Sequence, residues 1–386
     1  MERADVETDG SALSLSISIS VVFLVFILLS SVINSLMIKP LLFDGSIIVH
    51  GRYAVTFEAL ESIGDDDSIS VVGIGSSITR ASIDGTCIEN NSEIEGIQVY
   101  NLGLSAANPY TEMMQLTALI EAKPDVVMVE AGVNSFWDID SQTRTIGVDE
   151  NSYIEYRMRL SSILMGDSDF GSWTELIRDE DKQFLLQSDY LVYDETSKYA
   201  NEAVDELLSR IILNNSDARD ENSWLRAPNP NDDSWNDYLS TPNYRVGVWN
   251  NGTMITDWDE WFEENMALYA QQGEFNPQHN GTLFHTALQH IVEELVENEI
   301  IVILIATPRN PEVFNYLEAG QTDGLNSSLL NLTISDRVIV ENMFWDSWQK
   351  EEFLDRNHLN NIGREKMCQI IAPKLDSIIS NYVLLE

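Results

Sequence analysis

A three-layer α/β/α fold with a mostly parallel five-stranded sheet is what this sequence predicts, and three observations predict it. Short apolar runs of strand length alternate with segments of helical period, the pattern of a parallel sheet covered by helices on both faces. That alternation stops near residue 138 and resumes near residue 280, so one large insertion follows the third strand. Ahead of the alternation lies an uncharged apolar stretch that belongs to neither part.

Taken in order, residues 1–11 form a short polar tail. No charged residue occurs between Asp9 and Lys39, and residues 12–38 contain the run SVVFLVFILLSSVI. About 20 apolar residues suffice to cross a bilayer. No small-x-small cleavage site follows the run, so it reads as an uncleaved transmembrane anchor rather than a signal peptide. Residues 39–67 read as a tether. From residue 68 the strand-like runs are Ile69–Ile74, Gly96–Tyr100 and Asp125–Ala131, with a helical pattern over 113–122 closed by Lys123-Pro124. The insertion, about 138–280, carries Trp224, Trp235, Trp249, Trp258 and Trp261 between Asn-, Asp- and Pro-rich loops. Those rings suit either stacking on sugars or the core of a helical subdomain. Beyond it come the amphipathic helix FHTALQHIVEELVEN, the strand IIVILIATP, a strand at 337–341 and a last helix over 362–382.

Composition narrows the partners. Sixty-three acidic residues against 22 basic ones give a formal charge of −41. A surface this acidic repels nucleic-acid phosphate and anionic lipid headgroups, which excludes nucleic acid as a partner. Its self-repulsion is relieved by salt, whose Debye length falls to about 3 Å at 1 M, so a salt-rich habitat is expected. Six Asn-x-Ser/Thr sequons, at Asn90, Asn214, Asn251, Asn280, Asn326 and Asn331, favour an extracytoplasmic domain. Positive charges flank the apolar run on both sides and leave its orientation open. Cys87 and Cys368 are too few for a disulfide scaffold; two buried thiols or a single bridge both fit. His285 and His290, five apart on one helix, do not share a face, and no metal or other cofactor is expected.

Four stretches carry chemistry. In VVGIGSSITR a strand runs through Gly75 into Ser76, Ser77 and a helix, a turn that can lift a serine clear of the sheet. The same serines would serve as helix caps. NLGLSA places Gly103 after the second strand, and AGVN places Gly132 and Asn134 after the third. A glycine permits close backbone approach, and an asparagine amide is a donor that does not titrate. Near the C-terminus, EEFLDRNHLNN sets Asp355 three residues before His358, a spacing that lets the carboxylate orient the imidazole.

These four stretches, in this order at strand ends, resemble the SGNH (GDSL-type) hydrolase superfamily, a flavodoxin-like fold. The resemblance spans 68–133 and about 283–380 and leaves the insertion out. It implies Ser77 as nucleophile, His358 as general base and then acid, and Asp355 as the residue that orients it. It also implies an oxyanion hole made of the Ser77 and Gly103 backbone N–H groups and the Asn134 amide. Two departures stand out: the usual Gly-Asp-Ser is Gly75-Ser76-Ser77, and the usual Gly-x-Asn-Asp is Gly132-Val133-Asn134-Ser135. The first leaves Ser76 as an alternative nucleophile. Gly-Ser-Ser behind a single N-terminal anchor, with the ending EEFLDRNHLN, is similar to the D-alanyl transfer protein branch, whose members are membrane-anchored, extracytoplasmic and associated with cell-wall acylation.

The expectation is an anchored extracytoplasmic serine esterase acting on acylated surface glycan or lipid. An acyltransferase would share the same seryl ester, because attack by water or by a polyol hydroxyl differs only in the second step. A silent glycan-binding protein using the Trp-rich insertion is the alternative of another class.

Overall fold

The computed structural model describes residues 5–33, 36, 60, 63, 68–103, 107–136, 283–316, 324–353 and 357–384. The expected insertion at 138–280 lies outside the described residues, as does almost all of the tether, of which Leu60 and Ile63 are seen packed into the core.

Helix α1, Asp5–Ile33, contains a 20-residue span, Ser14–Ile33, with mean hydropathy 2.7, long and apolar enough to cross a membrane. Leu15, Phe23, Leu24 and Leu28 are more than half exposed, so this apolarity is not used in the protein core.

The sheet contains β1 (Ile69–Ile74), β2 (Ile97–Asn101), β3 (Val126–Glu130), β4 (Ile301–Ala306) and β5 (Val338–Asn342), all parallel, in the order β2-β1-β3-β4-β5. The central strands read as unbroken apolar runs because alternate residues feed two different cores. Val72, Ile74, Val127, Val129, Val302 and Leu304 face one cluster. Val71, Val126, Met128, Ile301, Ile303 and Ile305 face the other.

The first cluster is covered by the short helix Pro109–Glu112, a 3-10 turn at Met113–Gln115, the helix Leu116–Ala122 and the helix Leu283–Glu297. The helical pattern expected over 113–122 is therefore broken into pieces and begins earlier, at Pro109, where proline suits a first helical turn. Lys123 ends the segment in the left-handed region at φ 46°, and Pro124 prevents its continuation. The second cluster is covered by the helix Gly85–Asn91 and the C-terminal helix Asn361–Tyr382, through Ile88, Met367, Ile371, Leu375 and Ile378. Each large aliphatic side chain fully buried here contributes about 1.5–3 kcal/mol.

A disulfide joins Cys87 to Cys368, closing a 281-residue separation. Of the two readings open from sequence, the bridge holds and the free thiols do not. It ties the Gly85–Asn91 helix to the C-terminal helix on one face of the sheet.

Chain order reverses between β1 and β3: β2 lies to one side of β1, while β3 and the later strands lie to the other. The crevice beyond the C-terminal ends of β1 and β3 is thus the topological switch point, the usual ligand position in an open α/β sheet.

Candidate active site

The residues after β1 form this crevice. Gly75 has φ +149°, outside the comfortable range of residues with a Cβ. A Cβ there would also lie 2.1 Å from Thr79 Oγ1 and 2.8 Å from Glu130 Oε2. The chain then turns into the helix Ser77–Ser82, with Ser76 as its N-cap: the Ser76 hydroxyl accepts from the Ile78 N–H at 3.1 Å. From Val71 to Ile83 every residue is buried except Ser77.

Ser77 Oγ lies 2.8 Å from His358 Nε2. The sequence placed these two residues in one site, and the structure brings them together. The described residues around His358 are held by several bonds. Phe353 and Leu359 form an antiparallel bridge, and the Asn360 N–H donates to the Glu352 carbonyl at 3.0 Å. The Asn360 side-chain amide donates to the Glu351 carbonyl, and its oxygen accepts from the N–H groups of Ile362 and Gly363, capping the C-terminal helix. The cap is therefore Asn360, which leaves the His358 ring to face Ser77. Asp355 lies outside the described residues.

Ser76 has a different place. Its hydroxyl donates to the Glu130 carboxylate, 2.8 Å from Oε2 and 3.0 Å from Oε1, and its N–H donates to Oε2 at 2.9 Å. The Thr79 N–H (3.2 Å) and hydroxyl (2.8 Å) donate to the same Oε2. A hydroxyl fixed this way against a buried carboxylate is poorly placed to attack anything.

The other expected groups are arranged around this turn. Gly103 packs so closely that a Cβ would fall 2.8 Å from the Arg80 nitrogen and 2.9 Å from the Ser76 carbonyl oxygen. Its N–H donates to Asn101 Oδ1 at 3.1 Å, while the Asn101 amide donates to the carbonyls of Thr79, Arg80 and Ile83. The Gly103 N–H therefore reaches an oxyanion only by giving up Asn101. Asn134 falls in the 3-10 turn Val133–Phe136 after β3, and its side chain lies outside the described residues. Gly132 precedes that turn; a Cβ added there would stand at ordinary contact distance from the side chains of Arg309 and Thr307. The Ser77 N–H has no acceptor among the described residues, whereas its neighbours are used: Ser76 and Thr79 on Glu130, Ile78 on the Ser76 hydroxyl, and Arg80 on the Ser76 carbonyl.

Sequence reading missed Glu130, which ends an otherwise apolar strand and is only 4% exposed. A lone acid in a run such as VVMVEAG was the available signal, since an acid is seldom buried without partners. Glu112, also buried, has its carboxyl pushed well above the ordinary 4.5, first by burial and then by the charge of Glu130. Its Oε2 has no hydrogen-bond partner among the described residues. His285 is buried against Phe136, their rings 5.8 Å apart.

No family model matches the chain, and no curated protein matches it.

Proposed function

We propose that this chain is a membrane-anchored serine esterase of the SGNH kind that cleaves O-acyl esters on a surface glycan or lipid. The observation that carries the reading is the 2.8 Å contact between Ser77 Oγ and His358 Nε2 at the mouth of the switch-point crevice. The strand order 2-1-3-4-5 is that of flavodoxin-like folds and supports the same assignment.

In this reading His358 Nε2 takes the Ser77 hydroxyl proton as the oxygen attacks the ester carbonyl carbon. The carbonyl π electrons move to oxygen, and the Ser77 N–H, with the Asn134 amide, donates to the resulting oxyanion. Collapse breaks the C–O bond of the substrate, and the imidazolium returns its proton to the departing alcohol. Water, deprotonated by His358, then releases the acyl group as a carboxylic acid and restores Ser77. Asp355 has the role of holding the imidazole and stabilising its charged form.

An extracytoplasmic position for the domain is supported by three features. The apolar helix can anchor it, and the Cys87–Cys368 bridge belongs to an oxidising compartment. The sequon asparagines Asn90, Asn326 and Asn331 are exposed.

The test is labelling of the full chain with a fluorophosphonate probe in 2 M KCl, beside Ser77→Ala and Ser76→Ala. A Ser77-dependent adduct is expected, together with release of acetate from a model ester. Labelling that survives S77A, or its absence from the unmodified protein, would sink the assignment.

A further inference from the structure

We infer that Glu130 is a positioning residue: its carboxylate fixes the Ser76–Thr79 turn so that Ser77 alone presents a hydroxyl and an N–H to the crevice. This inference rests on the esterase reading above, and deepens it by naming what aims the nucleophile.

Four donors from one turn converge on this side chain: the N–H and hydroxyl of Ser76 and the N–H and hydroxyl of Thr79, all within 3.2 Å. Only a group without donors of its own can accept all of them, and a carboxylate is acceptor-only. The consequence for Ser77 follows by elimination. The hydroxyl beside it is turned inward, and the N–H groups on either side of it are spent. Gly75 is part of the arrangement, because a Cβ there would meet Glu130 Cβ at 2.6 Å and push the turn off the carboxylate.

Glu130 also reaches the second half of the crevice. Its backbone carbonyl accepts from the Ser135 hydroxyl at 3.2 Å, and so holds the turn that carries Asn134. One residue at the end of a central strand thereby registers the nucleophile turn against the other proposed oxyanion turn. Strand β3 is hydrogen-bonded on both sides, to β1 and to β4, which makes it a rigid mount.

The experiment measures both the rate constant and the final stoichiometry of fluorophosphonate labelling, for the full chain and for Glu130→Gln and Thr79→Val. A purely structural role would lower the fraction of molecules that label and leave the rate constant of the folded remainder unchanged. The positioning role predicts near-complete stoichiometry in both variants. For E130Q, which brings two donors into a site built for acceptors, the rate constant should fall by about 30- to 100-fold, as misplacement by roughly 1 Å does. For T79V, which removes a single hydroxyl donor, it should fall by about fivefold. Hydrolysis of a model ester should show the loss in kcat, with KM within twofold. Rate constants within twofold of the unmodified protein in both variants would overturn the inference. If E130Q does not fold, T79V decides alone. Failure of the unmodified protein to label at Ser77 is a separate outcome, and it overturns the esterase reading itself.

Discussion

Ser77 Oγ and His358 Nε2 stand 2.8 Å apart although 281 residues separate them in sequence. Each is held by its own local scaffold, Ser77 by the turn on Glu130 and His358 by the loop pinned through Asn360. Neither scaffold contains the other residue, so removing one side chain of the pair should leave the other in place. His358→Asn is expected to fold normally and to lower model-ester kcat by about 10³- to 10⁶-fold, the range for loss of a base from a unit of this kind. Steady-state hydrolysis checks this; activity within tenfold of the unmodified protein would mean that His358 is not the base.

Ser76→Ala should behave in the opposite way. It removes an N-cap and one hydroxyl donor to Glu130, with an expected loss of about 1–2 kcal/mol in urea unfolding. Labelling at Ser77 should persist at reduced rate. The two serines would thus separate into one that governs stability and one that governs labelling.

The disulfide has the same 281-residue separation as the Ser77–His358 pair, so each cysteine follows its partner in that pair at the same offset along the chain. Cys87 lies on the helix after Ser77 and Cys368 on the helix after His358. The bridge therefore holds together the two pieces that carry the pair. Reduction, or Cys87→Ser with Cys368→Ser, should destabilise the domain by about 2–5 kcal/mol. Guanidinium unfolding with and without reductant measures it. Two maleimide-reactive thiols should appear only after reduction; thiols reactive without it would show that the bridge is absent.

How much of this was legible in the sequence depended on the range of the interaction. Strands such as Ile69–Ile74 and Ile301–Ala306 announce themselves because both faces are apolar, and that is a local property. The Gly-Ser-Ser turn and the His358 segment were also legible, because a strand-to-turn-to-helix change and an Asp-x-x-His spacing are short patterns. The resemblance already favoured Ser77 over Ser76, but what holds the Ser76 hydroxyl inward was not legible: the carboxylate that accepts it lies 54 residues from Ser76, on another strand. Glu130 was hidden for the same reason: its four donors come from a different element, so its sequence neighbours show only an acid interrupting a strand. The cysteine pairing was equally nonlocal. The use of the Gly103 N–H by Asn101, two residues away, depends on the direction of a side chain that no periodicity encodes.

The crevice glycines should differ in their tolerance of a methyl group. Gly75→Ala meets both a positive φ and three contacts under 3 Å, and Gly103→Ala meets backbone atoms at 2.8 and 2.9 Å. Each should cost about 1–3 kcal/mol or more, Gly75 because its φ disfavours any Cβ and the Glu130 Cβ and Thr79 Oγ1 it meets are fixed close to their backbones, and Gly103 because backbone cannot swing aside. Gly132→Ala finds its nearest neighbours at 3.6 and 3.8 Å, an ordinary contact distance, and should leave the melting temperature almost unchanged. Thermal melts of the three variants give the ranking, and a large loss in G132A alone would contradict it.

Glu112 supplies a pH signature that involves none of the reacting groups. Burial, followed by the nearby charge of Glu130, raises its folded-state pKa above the ordinary 4.5. A carboxyl raised in this way binds its proton more tightly in the folded state than in the unfolded one. Its contribution to stability is therefore complete below about pH 4.5 and is lost as the pH climbs towards the folded-state value. Glu112→Gln keeps the size of the protonated acid and cannot ionise. Relative to the unmodified protein it should be neutral near pH 4 and more stable at pH 8, by on the order of 2–4 °C in melting temperature if the difference is about 1 kcal/mol. Paired melts across that range test the sign. A difference that stays constant from pH 4 to 8 would mean that Glu112 titrates alike in both states, and that its burial is matched by a partner for the charge.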